Sequence, residues 1–228
     1  MATPQGVIAV KREVQRADPA AVQALAGAGT GFVVDANGRR GALDSAIRPV
    51  SKAVSFCGPA YTVRTRGRDN LAAYTALAFA QPGDVLVIAT DGYREASVVG
   101  DVFIGLARNR GVVAVVTDGM VRDVAGIDAV GIPVFALGLS PNSPHKDGPG
   151  ELGTQVCLGG STVNTGDIVR GDADGVVVVA REAAAAVVTA LDKVRAQEAR
   201  MDQWVRDGLD APPWLREFIE GGALRELD

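Results

Sequence analysis

Three short apolar segments rich in β-branched residues alternate with helical patterns in the middle of the chain, and this alternation constrains the fold most. The apolar segments cover 84–89, 111–116 and 132–136. Helical patterns over 70–80 and 96–110 separate them. Strands that alternate with helices are typical of a layered α/β or mixed α+β protein, in which helices cover the strands.

Two further helices have clear sequence signals. Asp18 is a suitable N-cap, and Pro19 suits the first position of the helix that follows. The longest helical pattern runs over 181–207, with apolar residues at helical spacing. We therefore predict one main domain over 1–180, followed by a C-terminal helix and tail over 181–228 that contact a neighbouring subunit.

The remaining segments predict turns, short strands and one long loop. The glycine cluster over 27–31 follows a helix and not a strand, so it predicts a helix end and a turn, not a dinucleotide-binding loop. Residues 53–56 and 60–65 predict strands, and short strands between glycine turns over 154–180 predict antiparallel structure. The polar loop over 140–153 is long for a simple connection, and such loops are often functional.

Composition excludes several classes of function. The chain has 228 residues and a net charge of −4, which disfavours a broad surface for nucleic-acid phosphates. A single histidine excludes sites that need two. Cys57 and Cys157 form no CxxC motif and predict free thiols in a reducing compartment. No apolar run is long enough to span a bilayer, so we expect a soluble, cytoplasmic protein with no membrane partner.

Two short polar motifs point to chemistry. Gly100 and Asp101 lie near the start of a predicted helix, and Arg122 and Asp123 follow a buried strand. One helix and one strand fit between the two motifs, which would bring both to the same edge. Aspartate oxygens without His or Cys suit Mg²⁺ or Mn²⁺, and an arginine stabilises an oxyanion or holds a carboxylate. Such a set suits a metal-bound 2-keto acid; a structural salt-bridge network is the alternative.

Three other residues are candidates outside these motifs. Glu198 falls on the apolar stripe of the long helix, where a carboxylate is costly unless it is paired or faces a wet site; the alternative is the edge of the stripe. Arg94 follows the 84–89 segment and either clamps a distal substrate carboxylate or pairs with Glu95 in solvent. His145, in the long loop, either borders the pocket or is exposed to solvent.

The order and spacing of these motifs resemble the regulator of ribonuclease activity A family, which includes the 4-hydroxy-4-methyl-2-oxoglutarate and 4-carboxy-4-hydroxy-2-oxoadipate aldolases. The similarity runs from about Asp35 to Glu198. It is carried by Gly100-Asp101, by the string VTDGMVRD over 116–123, by 166–169 and by 172–176.

The resemblance implies a specific fold and assembly. Members are three-layer β/β/α proteins of the swivelling-domain type, with mixed sheets. They form homotrimers or homohexamers with active sites between subunits. Other members have no catalytic activity and inhibit ribonuclease E by protein contact, and this binding role is the alternative function for the chain.

The resemblance also implies roles for individual residues. The aldolases are class II enzymes that use a divalent cation, here Mg²⁺ or Mn²⁺, to cleave a 4-hydroxy-2-keto diacid into pyruvate and a second keto acid. Asp123 would bind the metal directly and Asp101 through water, while Arg122 would stabilise the enolate oxygen. Glu198 would reach a neighbour's site. Backbone amides of Gly100, Val102 and Phe103 would hold the pyruvyl carboxylate, and oxaloacetate decarboxylation is expected as a side activity.

Overall fold

A computed structural model describes residues 6–222 and 224–227. The strands, in chain order, are β1 (Ile8–Val10), β2 (Arg48–Pro49), β3 (Phe56–Thr65), β4 (Val85–Ala89), β5 (Ser97–Val99), β6 (Ala114–Thr117), β7 (Met120–Val121), β8 (Val134–Ala136), β9 (Gly138–Leu139), β10 (Gly150–Leu152), β11 (Val156–Leu158), β12 (Ser161–Val163), β13 (Ile168–Asp172) and β14 (Gly175–Val179). The helices are α1 (Pro19–Ala26), α2 (Thr30–Ala36), α3 (Leu71–Ala76), α4 (Asp101–Asn109), α5 (Val124–Val130), α6 (Ala184–Arg206) and α7 (Trp214–Glu220).

The central sheet is mixed. Its strands lie in the order β1-β10-β3-β4-β6-β8-β2, and the four strands from β3 to β8 run parallel. The outer strands β10 and β2 run antiparallel to their inner neighbours. The first half of β3 also pairs with β13, which forms an antiparallel hairpin with β14. The predicted α/β fold with mixed sheets is thus confirmed.

Strand β4 shows how the sheet is covered on both sides. All five of its residues are buried. Leu86 and Ile88 point to the core formed with α3, α4 and α5, whereas Val85, Val87 and Ala89 point to the core formed with β11–β14. Because side chains alternate along a strand, one sheet separates a helical layer from a β layer. This is the three-layer β/β/α arrangement expected from the sequence.

A second, smaller sheet lies beside the first and positions the site. Strands β5, β7 and β9 form it, and all three run parallel. In its register, Ser97 lies opposite Met120 and Val99 lies opposite Val121. The chain segments that leave β5 and β7 therefore emerge side by side.

The C-terminal helix packs on the outside of the β layer. Ala184, Val187 and Leu191 of α6 are buried in a third core with α1, α2, β13 and β14. Farther along α6 and in α7, large apolar side chains are exposed, among them Val205 and Trp214. The long predicted helix is confirmed, while the division of the chain after residue 180 stays a prediction. In the described residues, no helix is long and apolar enough to cross a membrane.

Several local predictions hold. The Asp18 carboxylate accepts a hydrogen bond from the N–H of Ala20 at 2.9 Å, and Pro19 begins α1. The glycine turn at Gly159 and Gly160 joins β11 to β12 in an antiparallel hairpin.

Two local predictions are wrong, and a third is correct but incomplete. Residues 96–110 are not one helix, because Ser97–Val99 form β5 and helix α4 begins only at Asp101. The β-branched Val98 and Val99 are buried in the small sheet, where they pack better than in a helix. The glycine cluster ends α1, but α2 starts within it at Thr30. Residues 53–56 are largely irregular, and one continuous strand begins at Phe56.

Asp172 explains why α2 starts where it does. Its carboxylate accepts hydrogen bonds from the N–H of Thr30 at 2.8 Å and from its hydroxyl at 2.7 Å. The N–H of Asp174 donates at 3.1 Å, and the Arg170 guanidinium lies 3.8 Å away. Burial alone would raise the pKa of Asp172, but the hydrogen bonds and Arg170 outweigh it, so the pKa is lowered. The Asp172 carboxylate therefore caps the start of α2, because the N-cap residue Gly29 has no side chain to accept a hydrogen bond.

We expect Asp172→Asn to lower the free energy of unfolding at pH 7 by about 1–3 kcal/mol, because it removes the charge from these hydrogen bonds. Since the folded-state pKa is lowered, the stabilisation is present above the unfolded pKa, near 4, and is lost as pH falls through the folded-state pKa. Urea unfolding at pH 7 and pH 3 measures it, and the difference from wild type should be smaller at pH 3. The exposed Asp174→Asn is the matched control; equal losses at both pH values would contradict a role for the ionised group.

Candidate functional site

The parallel pairing of β5 with β7 brings the two polar motifs together. Val99 and Val121 lie opposite each other, and the N–H of Arg122 donates to the Val99 carbonyl at 3.2 Å. Two residues follow β5 directly: Gly100 is the N-cap of α4, and Asp101 is the first residue of that helix. The predicted meeting of the two motifs is therefore present in the fold.

A cavity of approximately 170 Å³ opens where the motifs meet. Its lining includes six of the eight residues predicted for the site. It also includes polar side chains from β5, from α3 and its N-cap, and from the long loop. The predicted residues are Gly100, Asp101, Val102, Phe103, Arg122 and Asp123; the additional polar residues are Asn70, Tyr74, Ser97, Ser143 and Lys146.

Arg122 and Asp123 form the exposed side of the cavity. The Arg122 Nε donates to Asp123 Oδ2 at 3.1 Å, and Arg122 Nη1 donates to Ser143 Oγ at 2.6 Å. Asp123 has a left-handed backbone, with φ 62° and ψ 44°. This conformation costs an L-residue roughly 1–2 kcal/mol and is tolerated best by Asp and Asn, and such strain concentrates at functional sites. It places the carboxylate beside the start of α4 instead of along α5.

Two glycines make room for the carboxylates. A Cβ on Gly100 would lie 2.5 Å from Asp123 Oδ2 and 3.2 Å from Arg122 Cγ. A Cβ on Gly126 would lie 2.6 Å from the Cβ and 2.7 Å from the Cγ of Asp101. Neither position has space for a larger residue while the carboxylates keep their places.

The first turn of α4 supplies backbone donors. Helix geometry leaves the first N–H groups without partners inside the helix, and the positive end of its dipole favours an anion there. The N–H of Val102 donates to Asp101 Oδ1 at 2.7 Å. The N–H groups of Asp101 and Phe103 are the other two in this turn, and they lie at the cavity wall.

A metal ion in this cavity would have few protein ligands. Within residues 6–222 and 224–227, no group of three or more His, Cys, Asp or Glu side chains is placed to hold an ion. Asp101 and Asp123 nevertheless line one cavity. Mg²⁺ keeps several waters and is often bound through one or two carboxylates plus substrate oxygens, so the two carboxylates fit such an ion.

The structure does not bring the other two predicted residues into this cavity. Arg94 is exposed and lies outside the lining, as does Glu198, which is half-buried on α6. Their predicted roles stay predictions, since both would need contacts outside this cavity as the single chain forms it. His145 is exposed, and its neighbour Lys146 borders the cavity in its place.

The side chain of Asp118 holds the loop that carries Arg94 through hydrogen bonds to its backbone. The buried carboxylate accepts hydrogen bonds from the N–H of Thr90 at 2.6 Å and from the N–H of Gly92 at 3.1 Å. Burial raises the pKa of Asp118 above its ordinary value, and these hydrogen bonds only partly offset the effect. Asp118 therefore has a structural role in the motif VTDGMVRD, separate from the cavity.

The rest of the cavity lining comes from residues that sequence reasoning missed. Asn70 is the N-cap of α3 and Tyr74 lies within α3, and neither belongs to a motif recognised in the sequence. Ser143 and Lys146 belong to the long loop, whose length and polarity were the available signal. Asn70 Oδ1 is buried and has no hydrogen-bond partner among the described residues.

Taken together, the fold and site define a mixed α/β protein with an arginine and two carboxylates at the start of a helix. The family model described as Aldolase/RraA, of the RraA-like proteins, matches residues 26–178. The chain belongs to this family.

Similar proteins carry different functional names. A protein of Halalkalibacterium halodurans, provisionally named a 4-hydroxy-4-methyl-2-oxoglutarate aldolase, is 32% identical over 178 residues, which cover 78% of this chain and 83% of that protein. The RNA-processing inhibitor RraA from Thermus thermophilis is 26% identical, with a TM-score of 0.63, over 67% of this chain and 92% of that one. An uncharacterized Pseudomonas syringae protein shares the fold, with a TM-score of 0.75 at 23% identity over 86% of this chain and 96% of that one.

We expect Gly126→Ala to weaken Mn²⁺ binding at least about tenfold, because the new Cβ would force the Asp101 side chain to turn away. Alanine is the better helix former by up to about 1 kcal/mol, so the folded state should not be lost. Gly105→Ala is the matched control in α4, since its Cβ would meet only Val130 Cγ2, at 3.8 Å. Calorimetric titration with Mn²⁺ measures the change, and equal affinity in both variants would contradict a role for Asp101.

Proposed function

We propose that the chain is a divalent-metal-dependent class II aldolase that cleaves a 4-hydroxy-2-keto diacid to pyruvate and a second keto acid, with oxaloacetate decarboxylation as a side activity. One observation carries the proposal: Asp101, Arg122, Asp123 and the first turn of α4 line a single cavity. A structural salt-bridge network would not need a strained Asp123 or an open cavity in front of the arginine.

The proposed cation is Mg²⁺ or Mn²⁺, with Asp123 as direct ligand and Asp101 acting through water. When bound, such an ion polarises the keto oxygen and helps stabilise the negative charge that cleavage leaves behind. The two carboxylates are hard oxygen donors, which suits either ion.

The chain's own residues would divide the remaining work. The amides at the start of α4, around Gly100, Val102 and Phe103, would hold the C1 carboxylate, as helix N-termini hold anions. The N–H of Val102 would first have to release the Asp101 carboxylate. As the C3–C4 bond breaks, its electron pair forms the enolate of pyruvate, and Arg122 would donate to the developing oxygen charge. Asp101 would orient the water that takes the proton from the C4 hydroxyl, and a proton returned to C3 of the enolate would complete pyruvate. Oxaloacetate would lose CO₂ and leave the same enolate.

The proposed site includes a second subunit. Glu198 lies on α6, whose distal half and following helix expose apolar side chains such as Trp214 and Phe218. We propose that this end of the chain packs on a neighbour in a homotrimer or homohexamer, and that Glu198 there enters the neighbour's cavity.

A protein-binding regulator of the ribonuclease E inhibitor type is the second candidate function. The similarity to the Thermus RNA-processing inhibitor favours it. The two functions differ in what they require of the cavity: an enzyme needs Arg122 and the carboxylates for turnover, whereas a binding protein needs only its surface.

We expect Arg122→Ala to lower pyruvate release by at least about 100-fold, because it removes the donor to the enolate oxygen. The assay supplies Mg²⁺ or Mn²⁺ with oxaloacetate and with 4-hydroxy-2-keto diacids, and couples pyruvate to lactate dehydrogenase. Arg40→Ala, an exposed arginine outside the cavity, is the control and should keep wild-type rates. No pyruvate from wild type on any substrate would favour the regulator instead, and a fully active Arg122→Ala would contradict the proposed mechanism.

We expect subunit mixing to reveal a shared site. Arg122→Ala and Glu198→Gln should each be nearly inactive alone, since each removes one half of every site. After the two variants are mixed under conditions that exchange subunits, some sites combine an intact Arg122 with an intact Glu198, so activity should partly return. Light scattering gives the mass of the assembly; a stable monomer, or no recovery after proven exchange, would contradict the shared site.

A further inference from the structure

The cavity lining includes two cationic side chains, and only Arg122 is hydrogen-bonded or ion-paired to other side chains. Arg122 is bonded to Asp123 and Ser143. Lys146 is exposed, and no carboxylate of the described residues lies within ion-pair distance of it. Its Nζ lies 5.1 Å from the ring centroid of Tyr74, which also lines the cavity. This leaves its charge available to an anion in the cavity.

The backbone around Lys146 is hydrogen-bonded to Asp69 and Asn70, the two residues that precede α3. Asp69 is 1% exposed, and its Oδ2 accepts hydrogen bonds from the N–H of Asp147 at 2.7 Å and of Gly148 at 3.0 Å. The N–H of Asn70 donates to the carbonyl of His145 at 3.0 Å. Lys146 is thus held on both sides by contacts to the same two residues, so the loop cannot move away from the cavity without exposing a buried carboxylate.

An aromatic pair connects Lys146 to the start of α4. The Tyr74 ring packs edge-on against Phe103, with centroids 5.3 Å apart. Phe103 is buried in the first turn of α4, whose residues line the cavity. The lining therefore contains both the start of a helix, where an anion is favoured, and the cation of Lys146, and Tyr74 contacts both.

We infer that Lys146 binds the second carboxylate of a 2-keto diacid whose first carboxylate is held at the start of α4. This specificity role rests on the proposed function, and it gives Lys146 the contact that was one of the two alternatives for Arg94. Asn70 Oδ1, in the same cavity lining, is a buried acceptor with no partner among the described residues. An ionised carboxylate has no hydrogen to donate, so this acceptor calls for a water or a hydroxyl group beside the bound acid and not for the carboxylate itself.

The experiment compares two unreactive ligands that differ only in the second carboxylate. With Mg²⁺ present, calorimetry gives the Kd of 2-oxoglutarate and of 2-oxopentanoate, neither of which carries the 4-hydroxyl needed for cleavage. Wild type should bind the dicarboxylate about ten to a hundred times more tightly, as expected for a charge-assisted contact. Lys146→Met should reduce this preference to less than about threefold and leave the affinity for 2-oxopentanoate unchanged.

Two control variants sharpen the result. Lys146→Arg keeps the charge and should keep most of the preference. Lys52→Met makes the same change at an exposed lysine whose Nζ lies 3.8 Å from Asp128, away from the cavity lining, and should bind as wild type does. An unchanged preference in Lys146→Met, equal loss for both ligands, or no preference in wild type would overturn the inference.

The outcome is separable from the proposed catalysis. If wild type releases pyruvate from oxaloacetate but shows no preference between the two ligands, only the role of Lys146 fails. If Lys146→Met abolishes a clear preference while no substrate yields pyruvate, the dicarboxylate site stands and the aldolase proposal fails.

Discussion

The pairing of two very short strands positions the whole candidate site. Strands β5 and β7 have three and two residues, and their register sets Val99 opposite Val121. Each strand ends where a polar motif begins, so the register alone decides that Asp101 and Asp123 share a cavity. A slip of one residue would turn alternate side chains to the other face. The central sheet and α4 matter here because they hold this small sheet in place.

The burial of the central sheet on both faces could be predicted from the sequence. Segments such as 84–89 are apolar without alternation, which is typical of strands covered on two sides. The spacing between the two motifs also predicted that they meet. The helix predicted over 96–110 was too long, because the tertiary pairing of Ser97 and Val99 with β7 overrides the helical pattern that continues after Gly100. Strand pairing of this kind depends on a partner distant in sequence.

The rest of the cavity lining could not be predicted for the same reason. Lys146 and Tyr74 are 72 residues apart in sequence, and Asp69 contacts the loop through backbone N–H groups that carry no sequence signal. The resemblance to a family implied roles for the two aspartates, Arg122, the start of α4 and Glu198, but named none of these additional lining residues. Arg94 was the cation that sequence order brought nearest to a strand end, whereas the fold brings Lys146 to the cavity.

The attachment of the long loop has a consequence for how the protein can change. Asp69 and Asn70 hold the loop through its main chain, so the side chain of Lys146 does not contribute to the hydrogen bonds that position it. The arginine and carboxylates belong to other elements. On the proposed role of Lys146, substitutions there can therefore change which acid binds in the cavity and leave Arg122 and the two carboxylates in place. The specificity of the site could then evolve independently of the groups proposed to carry the reaction.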